Sequence, residues 1–261
     1  MTKIAFITLS GEGTILLGKL SCKFTGASFY VHENVKGKIK AKRFAKILEL
    51  TDEIFGKYSG LVFVAPCGAV VRAIVGKISG KKTDPAVVQV DVGGRYAVSL
   101  LSGHEGGAND LALEVANAIG AEPVISTTTE AVKNFIVGVG CKKGKEAQKI
   151  IEAVKSALKE AGAPLDKVRF IASADIKENE AGLIEAAKTL NVPLRFIASD
   201  EIRNCAKEFT HSEFVEQKVN LPAVAEPAAL IAGRRTKLVL TKRKYDGVTV
   251  AIARENLLSL E

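Results

Sequence analysis

The stretch YAVSLLSGHEGGANDLALEVANAIGA, residues 96–121, joins an apolar run to a helical pattern through a glycine-rich loop. YAVSLLS is typical of a buried strand, and NDLALEVANAIGA places apolar residues at helical spacing, with Gly120 as the predicted stop. The same order, a short apolar run followed by a helical pattern, recurs along the chain. The sequence therefore predicts an α/β fold.

The rest of the first half continues this alternation. AVVQVD, residues 86–91, and YAVSLLS predict a hairpin, because VGGR between them supplies turn glycines. A helix is expected over residues 41–58. The other strands are expected at residues 3–10, 28–33, 61–66 and 123–127.

The second half repeats the alternation from residue 135 onward. The polar stretch TTTEAVKN, residues 127–134, serves as the predicted linker, so we expect domains at 1–134 and 135–261. Each should contain a mainly parallel or mixed sheet flanked by helices. Strands are expected at 135–141, 168–173 and 194–199, helices at 145–162, 179–190, 200–209 and 224–233, and a closing hairpin at 237–253 turning at Asp246-Gly247.

The composition favours a globular protein with an anionic partner. The 261 residues are 47% hydrophobic, carry a net charge of +8 and include no Trp and four Tyr. Nucleic-acid binding usually adds aromatic residues among the basic ones, so we expect no nucleic-acid partner, and a small polycarboxylate or phosphate fits as well. No apolar run approaches the roughly 20 residues of a membrane span, and MTKIAFITLS leads straight into a strand, so a cytoplasmic location without a membrane partner is expected.

The cysteines give no sign of a metal or disulfide framework. Cys22, Cys67, Cys141 and Cys205 are far apart in the sequence and form no CxxC pair. We therefore expect buried thiols and no metal ligands.

The glycine-rich loop holds the candidate catalytic residues His104 and Glu105. An imidazole ordinarily titrates at about pH 6.5, and Glu105 could orient it or act as a base. The loop is expected at the carboxyl end of the sheet, where open α/β sheets bind ligands, with Asn109 capping the following helix. A tight turn around a structural histidine explains the motif equally well. The candidate binding residues of this motif are Ser102, Gly103, Gly106, Gly107 and Asn109.

Two further segments of the first half are candidate anion sites. LSGEGT, residues 9–14, places Gly11 and Gly13 after the first strand, although a strand-to-helix turn favours these residues anyway. Gly68 and Arg72 lie in CGAVVRAIVG, where the guanidinium could bind a carboxylate with two hydrogen bonds. The lysines that follow Arg72 are interpreted as ordinary surface charge.

The second half has weaker candidates. GVGCKKGK, residues 138–145, has the strand, glycine and helix order of an anion-binding turn, with Gly140 and Lys143 as candidates. Glu180 and Glu226 lie at helix starts, where the helix dipole stabilises carboxylates without any role in catalysis. Lys177 and Lys242 are either ligand contacts or solvated. No GxSxG elbow or Cys-His pair is visible, so the sequence does not support covalent catalysis.

Six of these segments together resemble the cobalt-precorrin-5A hydrolase (CbiG) family of anaerobic cobalamin biosynthesis. The first half matches through GAVVRAIVGKISGKKTDPAVVQVD and SLLSGHEGGANDLA. The second half matches through GVGCKKGK, ADIKENEAGL, VAEPAAL and TKRKYDGVTVAIAR, and is also similar to the small CobE-type domain. The chain lacks the middle region of longer members, because PVISTTTEAV runs almost directly into FIVGVGC.

The resemblance implies a hydrolase that opens the δ-lactone of cobalt-precorrin-5A and releases acetaldehyde to give cobalt-precorrin-5B. His104 would be the acid–base group and Glu105 a helper. No cofactor is expected, since cobalt would enter within the tetrapyrrole substrate, and transient contact with neighbouring pathway enzymes is the other expected partnership. The alternative is a protein that binds or carries the corrinoid intermediate without catalysis.

Overall fold

The computed structural model describes residues 3–37 and 40–260. These fall into two compact units, the first ending at Thr127 and the second beginning at Thr128. Each unit has its own sheet and core, and together they confirm the predicted α/β class, with two mixed sheets flanked by helices.

The first unit contains a seven-stranded sheet in the order β3-β2-β1-β4-β5-β6-β7. Neighbouring strands are parallel except for the antiparallel pair β5–β6, which is the predicted hairpin. The strands are β1 (Ile4–Thr8), β2 (Ser28–His32), β3 (Lys42–Phe44), β4 (Gly60–Val64), β5 (Ala86–Val90), β6 (Tyr96–Leu101) and β7 (Glu122–Val124). The helices are α1 (Gly11–Lys23), α2 (Ile47–Ile54), α3 (Cys67–Ile74) and α4 (Ala108–Ile119).

Both faces of this sheet are covered, as the strand periodicity requires. Phe6 points into a core built with α1 and α4, whereas its neighbours Ala5 and Ile7 point into a second core with α2 and α3. Helix α4 ends where predicted, because Gly120 adopts φ +75° at its C-terminus.

The second unit contains a five-stranded sheet in the order β10-β9-β8-β12-β11. Its strands are β8 (Phe135–Cys141), β9 (Val168–Ala174), β10 (Leu194–Ile197), β11 (Thr236–Tyr245) and β12 (Val248–Glu255). Its helices are α5 (Thr128–Ala131), α6 (Ala147–Ala161), α7 (Ala181–Leu190), α8 (Ser199–Arg203), α9 (Glu213–Val219) and α10 (Ala225–Ile231). The predicted β11–β12 hairpin is confirmed, with Asp246 and Gly247 both at positive φ.

Helix α10 packs on β8 with almost no space between the two backbones. A methyl group added at Gly138 would lie 1.8 Å from the carbonyl oxygen of Ala225 and 2.9 Å from Cβ of Ala229. Gly140, in the same strand, meets only ordinary contacts, the nearest at 3.4 Å. Glycine at position 138 therefore allows the close approach of α10.

Two predicted helices are shorter in the structure than the sequence indicated. The helix expected over 41–58 is limited to Ile47–Ile54, because residues 42–44 pair with β2 as an edge strand and Arg43 donates to the carbonyl oxygen of Val35. The helix expected over 200–209 ends at Arg203, and residues 204–212 follow an irregular path. The second helix ends early because the Lys207 ammonium donates hydrogen bonds to the Leu230 carbonyl and the Thr236 hydroxyl, and these contacts hold the segment in an irregular path.

The expected burial of the thiols is also wrong. Cys22 and Cys67 are exposed, and Cys141 and Cys205 are partly exposed. Cys22 lies on the outer side of α1, and Cys67 begins α3 beyond the end of β4.

Replacing Gly138 with alanine should destabilise the second unit. The added methyl group collides with a helix backbone, and overpacking of this kind costs about 1–3 kcal/mol or more. Urea denaturation followed by far-UV circular dichroism should show a lower midpoint for Gly138→Ala. The matched control is Gly140→Ala in the same strand, and equal midpoints for the two variants would contradict the close packing.

Candidate active site

The loop that carries His104 lies at the amino end of the parallel strands. Leu101 pairs with Val87 and Ala97 pairs with Val90, so β6 runs in the direction opposite to β5. Residues 102–107, called here the histidine loop, therefore follow the end of β6 at the edge where β4 and β5 begin. The expectation that His104 lies at the carboxyl end is wrong, because the predicted hairpin itself reverses the chain.

The other glycine candidates of the first unit lie at the opposite, carboxyl edge. Gly13 donates its amide to the Ser10 hydroxyl, which caps α1. A methyl group at Gly13 would lie 1.9 Å from Oγ1 of Thr8, so close packing explains this glycine. Gly11, in contrast, has open space around it.

Gly68 lies at the start of α3, also at the carboxyl edge, whereas Arg72 lies in the last turn of this helix. The exposed Arg72 guanidinium turns back on its own helix and donates to the Gly68 carbonyl at 3.2 Å. The topology therefore leaves Gly11, Gly13 and Gly68 at the edge opposite His104.

A second loop lies against the histidine loop. Residues 75–85, called here the lysine loop, join α3 to β5. The buried carboxylate of Asp84 accepts hydrogen bonds from the amides of Ser79, at 3.0 and 3.1 Å, and Gly80, at 3.0 Å. The Asp84 carbonyl oxygen lies 3.3 Å from where a Cβ at Gly106 would be. Asp84 thus fixes the lysine loop beside the histidine loop.

An ion pair joins the two loops at the surface. Nζ of Lys81 lies 2.6 Å from Oε1 of Glu105. The hydrogen bond from Lys81 holds the pKa of Glu105 below its ordinary value. Glu105 is consequently a weak base, and its main contact is with Lys81. His104 and Lys82 are both exposed to solvent beside this pair.

Ser102, the first residue of the histidine loop, combines a positive φ with a buried hydroxyl that has no hydrogen-bond partner. Its φ is 58°, in the region that favours glycine, and only 6% of the residue is exposed. Its hydroxyl is the one side-chain polar atom among the described residues that is buried without a hydrogen-bond partner. The backbone conformation and the unpaired hydroxyl each cost about 1–3 kcal/mol.

Glycines allow the tight path of the histidine loop. A methyl group at Gly106 would lie 2.4 Å from Cβ of Ser102, and one at Gly103 would lie 2.6 Å from Cγ2 of Thr127. Gly107 adopts φ +83° as the N-cap of α4. The conformation and packing of the loop therefore explain these three glycines without any contact to a ligand.

Asn109 does not cap α4, contrary to the sequence prediction. Since Gly107 takes the cap position, Asn109 lies in the first turn, where its Oδ1 accepts from the Ser99 hydroxyl at 2.8 Å. Its Nδ2 donates to the Thr127 hydroxyl at 3.0 Å. The buried amide thus ties α4 to β6 and to the end of the first unit.

In the second unit, Gly140, Lys143, Lys177 and Glu180 come together where β8 ends. Glu180 accepts from the Gly144 amide at 2.7 Å and pairs with Nζ of Lys177 at 3.1 Å. Both charged side chains are largely buried, so this pair holds the loop that presents the exposed Lys143. Partial burial is the main cause that raises the pKa of the neighbouring Cys141 thiol.

Glu226 and Lys242 fasten the irregular segment to the sheet. Glu226 is 1% exposed, and its carboxylate accepts from the amides of Thr210 at 2.5 Å and Lys242 at 2.8 Å. Nζ of Lys242 donates to the carbonyl oxygens of Thr210 at 3.2 Å and His211 at 3.0 Å. Their polar groups are occupied by protein partners.

Comparison with known proteins accounts for both units. The family described as Cobalamin synthesis G N-terminal matches residues 49–130, and that described as Cobalamin synthesis G C-terminus matches residues 135–253. The chain belongs to the CbiG family. The two matched regions contain both loops of the first unit and the Lys177–Glu180 pair of the second.

Curated relatives of this CbiG chain carry related names. Cobalt-precorrin-5A hydrolase of Priestia megaterium is 24% identical over 302 positions, covering 78% of this chain and 80% of the relative. The Salmonella typhimurium protein of the same name is 23% identical, with 77% and 83% covered. Protein CobE of Sinorhizobium sp. is 31% identical over 128 positions, covering 48% of this chain and 83% of CobE. Because 302 positions exceed the length of this chain, the Priestia protein has residues without a counterpart here.

The residues that sequence reasoning missed are those that fix the two loops. The sequence pattern favours ordinary surface charge for Lys81. Asp84, Ser99 and Thr127 belong to no candidate site in the sequence. The signal was available for Lys81 alone, since a lysine cluster near a predicted site is visible in the sequence, whereas the Asp84 and Asn109 contacts depend on the folded loops.

Within residues 3–37 and 40–260, no group of three or more His, Cys, Asp and Glu side chains is arranged to hold a metal ion. No helix in the same residues is both long and apolar enough to cross a membrane.

Replacing Lys81 with methionine should raise the pKa of Glu105 towards its ordinary value. A lowered pKa means that the ion pair is present above the ordinary pKa and is lost as the pH falls through the lowered one. Without Lys81, the carboxylate should therefore take up its proton at higher pH, which a carbon-detected NMR titration of Glu105 measures. Lys82→Met is the control, and an unchanged Glu105 titration in Lys81→Met would refute the pairing.

Proposed function

We propose that this chain is a cobalt-precorrin-5A hydrolase, an enzyme of cobalamin biosynthesis. Two curated relatives with that name align with more than three-quarters of the chain, and both CbiG regions are present. The observation that supports an active site in the first unit is the exposure of His104, in a loop that contacts Lys81 and Asp84.

The basic loops suit the proposed substrate. A tetrapyrrole of this class carries acetate and propionate groups, and Lys81 and Lys82 are exposed beside His104. Each charge-assisted hydrogen bond contributes about 1.5–3 kcal/mol, so a few of them approach the roughly 8 kcal/mol of micromolar binding before association costs are subtracted. Since Glu105 already pairs with Lys81, a substrate carboxylate must compete with it for that ammonium group.

His104 provides the acid–base chemistry in this proposal. As a base, its imidazole takes a proton from water as the water oxygen attacks the lactone carbonyl, and the ring C–O bond then breaks. As an acid, it returns that proton to the released alkoxide oxygen, which becomes a hydroxyl group. The C–C bond between the macrocycle and this carbinol carbon then breaks, the hydroxyl proton is lost as acetaldehyde forms, and the electron pair and a proton go to the macrocycle carbon to give cobalt-precorrin-5B. Cobalt enters within the substrate, and no other cofactor takes part. Neighbouring pathway enzymes are the proposed transient partners for delivery and release.

His104→Ala should slow acetaldehyde release by about 10²- to 10⁴-fold, which is the usual loss when a general acid–base group is removed. Binding should survive, because the lysine loop is retained. The measurement is trapped acetaldehyde together with the mass of the corrinoid product. The matched control is His211→Ala, which removes an exposed imidazole from the second unit.

The same assay separates an enzyme from a carrier. An enzyme converts many equivalents of the lactone per chain, whereas a carrier binds one equivalent and releases no acetaldehyde above the protein-free rate. Full activity in His104→Ala would remove His104 from the mechanism but leave the enzyme, and stoichiometric binding without turnover would replace the hydrolase with the carrier.

A further inference from the structure

The Ser102 hydroxyl is a buried nucleophilic group that the acid–base mechanism above does not use. It has no hydrogen-bond partner in the protein, although the residue is more than nine-tenths buried. Glycine at this position would relieve the positive φ and remove the unpaired hydroxyl at once. The side chain is retained despite both costs, which points to a ligand for the hydroxyl.

The chain path around Ser102 is that of a sharp strand-to-helix turn. Strand β6 ends at Leu101, directly before Ser102, and α4 begins at Ala108. The Ser102 carbonyl accepts from the amides of Gly106 at 3.1 Å and Ala108 at 3.2 Å, which closes the turn. Serine hydrolases of unrelated sequence place their nucleophile on a strained turn of this kind. The GxSxG pattern that marks such a turn in the sequence of a serine hydrolase is absent here.

Amide donors next to Ser102 are available for an oxyanion. In the described residues, the amides of Gly103 and His104 have no hydrogen-bond acceptor. In strand-turn-helix hydrolases the amide of the residue after the nucleophile stabilises the negative charge on the attacked carbonyl oxygen. The acid–base candidate His104 belongs to the same loop.

We propose that Ser102, in place of water, is the nucleophile that opens the lactone, an inference that rests on the proposed hydrolase function and moves the attack of water to a second step. Its Oγ forms a bond to the lactone carbonyl carbon and gives up its proton, and the ring C–O bond breaks with protonation of the released oxygen. The resulting ester joins Ser102 to the substrate. Water then attacks this ester, gives the free carboxylate and restores the hydroxyl, so no oxidant or reductant is needed.

Access to Oγ requires the histidine loop to move away from Ser102. A Cβ built on Gly106 would lie only 2.4 Å from Cβ of Ser102, so Gly106 packs close to this side chain, and glycines occupy three of the six loop positions. A loop of this composition can change conformation at low cost, because glycine adopts both signs of φ. The closed loop covers the hydroxyl, and transient opening of the loop exposes it to the substrate and to small reagents alike.

The test combines a small serine-directed fluorophosphonate with turnover of the lactone. The full chain should be labelled at Ser102, as located by peptide mass mapping, and acid quenching during turnover should trap a substrate ester on the same peptide. Ser102→Ala removes the hydroxyl and leaves a side chain at a residue with positive φ. Ser102→Gly removes the hydroxyl and also relieves the positive φ, so this variant should be at least as stable as the parent. Turnover should fall at least about 10³-fold in both, as expected for loss of a nucleophile that acts with an acid–base partner.

The matched control is Ser21→Ala, which changes an exposed hydroxyl on α1 and should label and turn over like the parent. Turnover within about tenfold of the parent in a folded Ser102→Gly variant overturns the proposal, as does a parent that turns over without label or trapped ester. If the parent shows no lactone turnover, the hydrolase proposal fails by itself. Labelling of Ser102 would then still support a reactive serine, and its absence would overturn it.

Discussion

The antiparallel pairing of β6 with β5 determines which side chains of the first unit can act together. A parallel β6 would end beside the starts of α1 and α3, among Gly11, Gly13 and Gly68. The hairpin instead delivers residues 102–107 to the other edge of the sheet, where the chain arrives from α3 on its way to β5. Every contact described between the histidine loop and the lysine loop follows from that reversal.

At this edge, polar contacts rather than a hydrophobic core maintain the local order. One buried carboxylate, that of Asp84, satisfies two backbone amides of the lysine loop, and one buried amide side chain, that of Asn109, connects α4 with β6 and with Thr127. Both are fully engaged with the protein. Ser102 is the exception beside them, and a buried polar group without a partner is rare enough in folded proteins to require an explanation.

The sequence was sufficient for the parts that depend on local pattern. Alternating apolar residues identified the strands, the glycines of VGGR identified the hairpin, and Gly120 marked the end of α4. It was insufficient where a distant partner overrides the local preference. Residues 41–46 are helix-forming in composition, yet 42–44 pair with β2, and Lys207 leaves a helical pattern to reach the Leu230 carbonyl. The expected location of His104 is wrong for a different reason: the hairpin reverses β6, so a strand that follows this turn ends at the amino edge of the parallel strands.

The sequence indicates carboxylates at helix starts for Glu180 and Glu226, and leaves ligand contact or solvation open for Lys177 and Lys242. It does not show which groups these four side chains bind. The structure pairs them with backbone groups and with each other. These contacts exist only in the folded state, so the spacing of residues in the sequence does not predict them.

The separate cores of the two units bear on how the stability of this chain can be described. One hydrophobic cluster lies entirely within residues 135–252, and the others lie within the first unit. A chain with independent cores does not meet the condition for an all-or-none transition, so one melting temperature is not a property of the whole molecule. Calorimetry on it has to be interpreted as the sum of two cooperative events, each assigned to the core that melts.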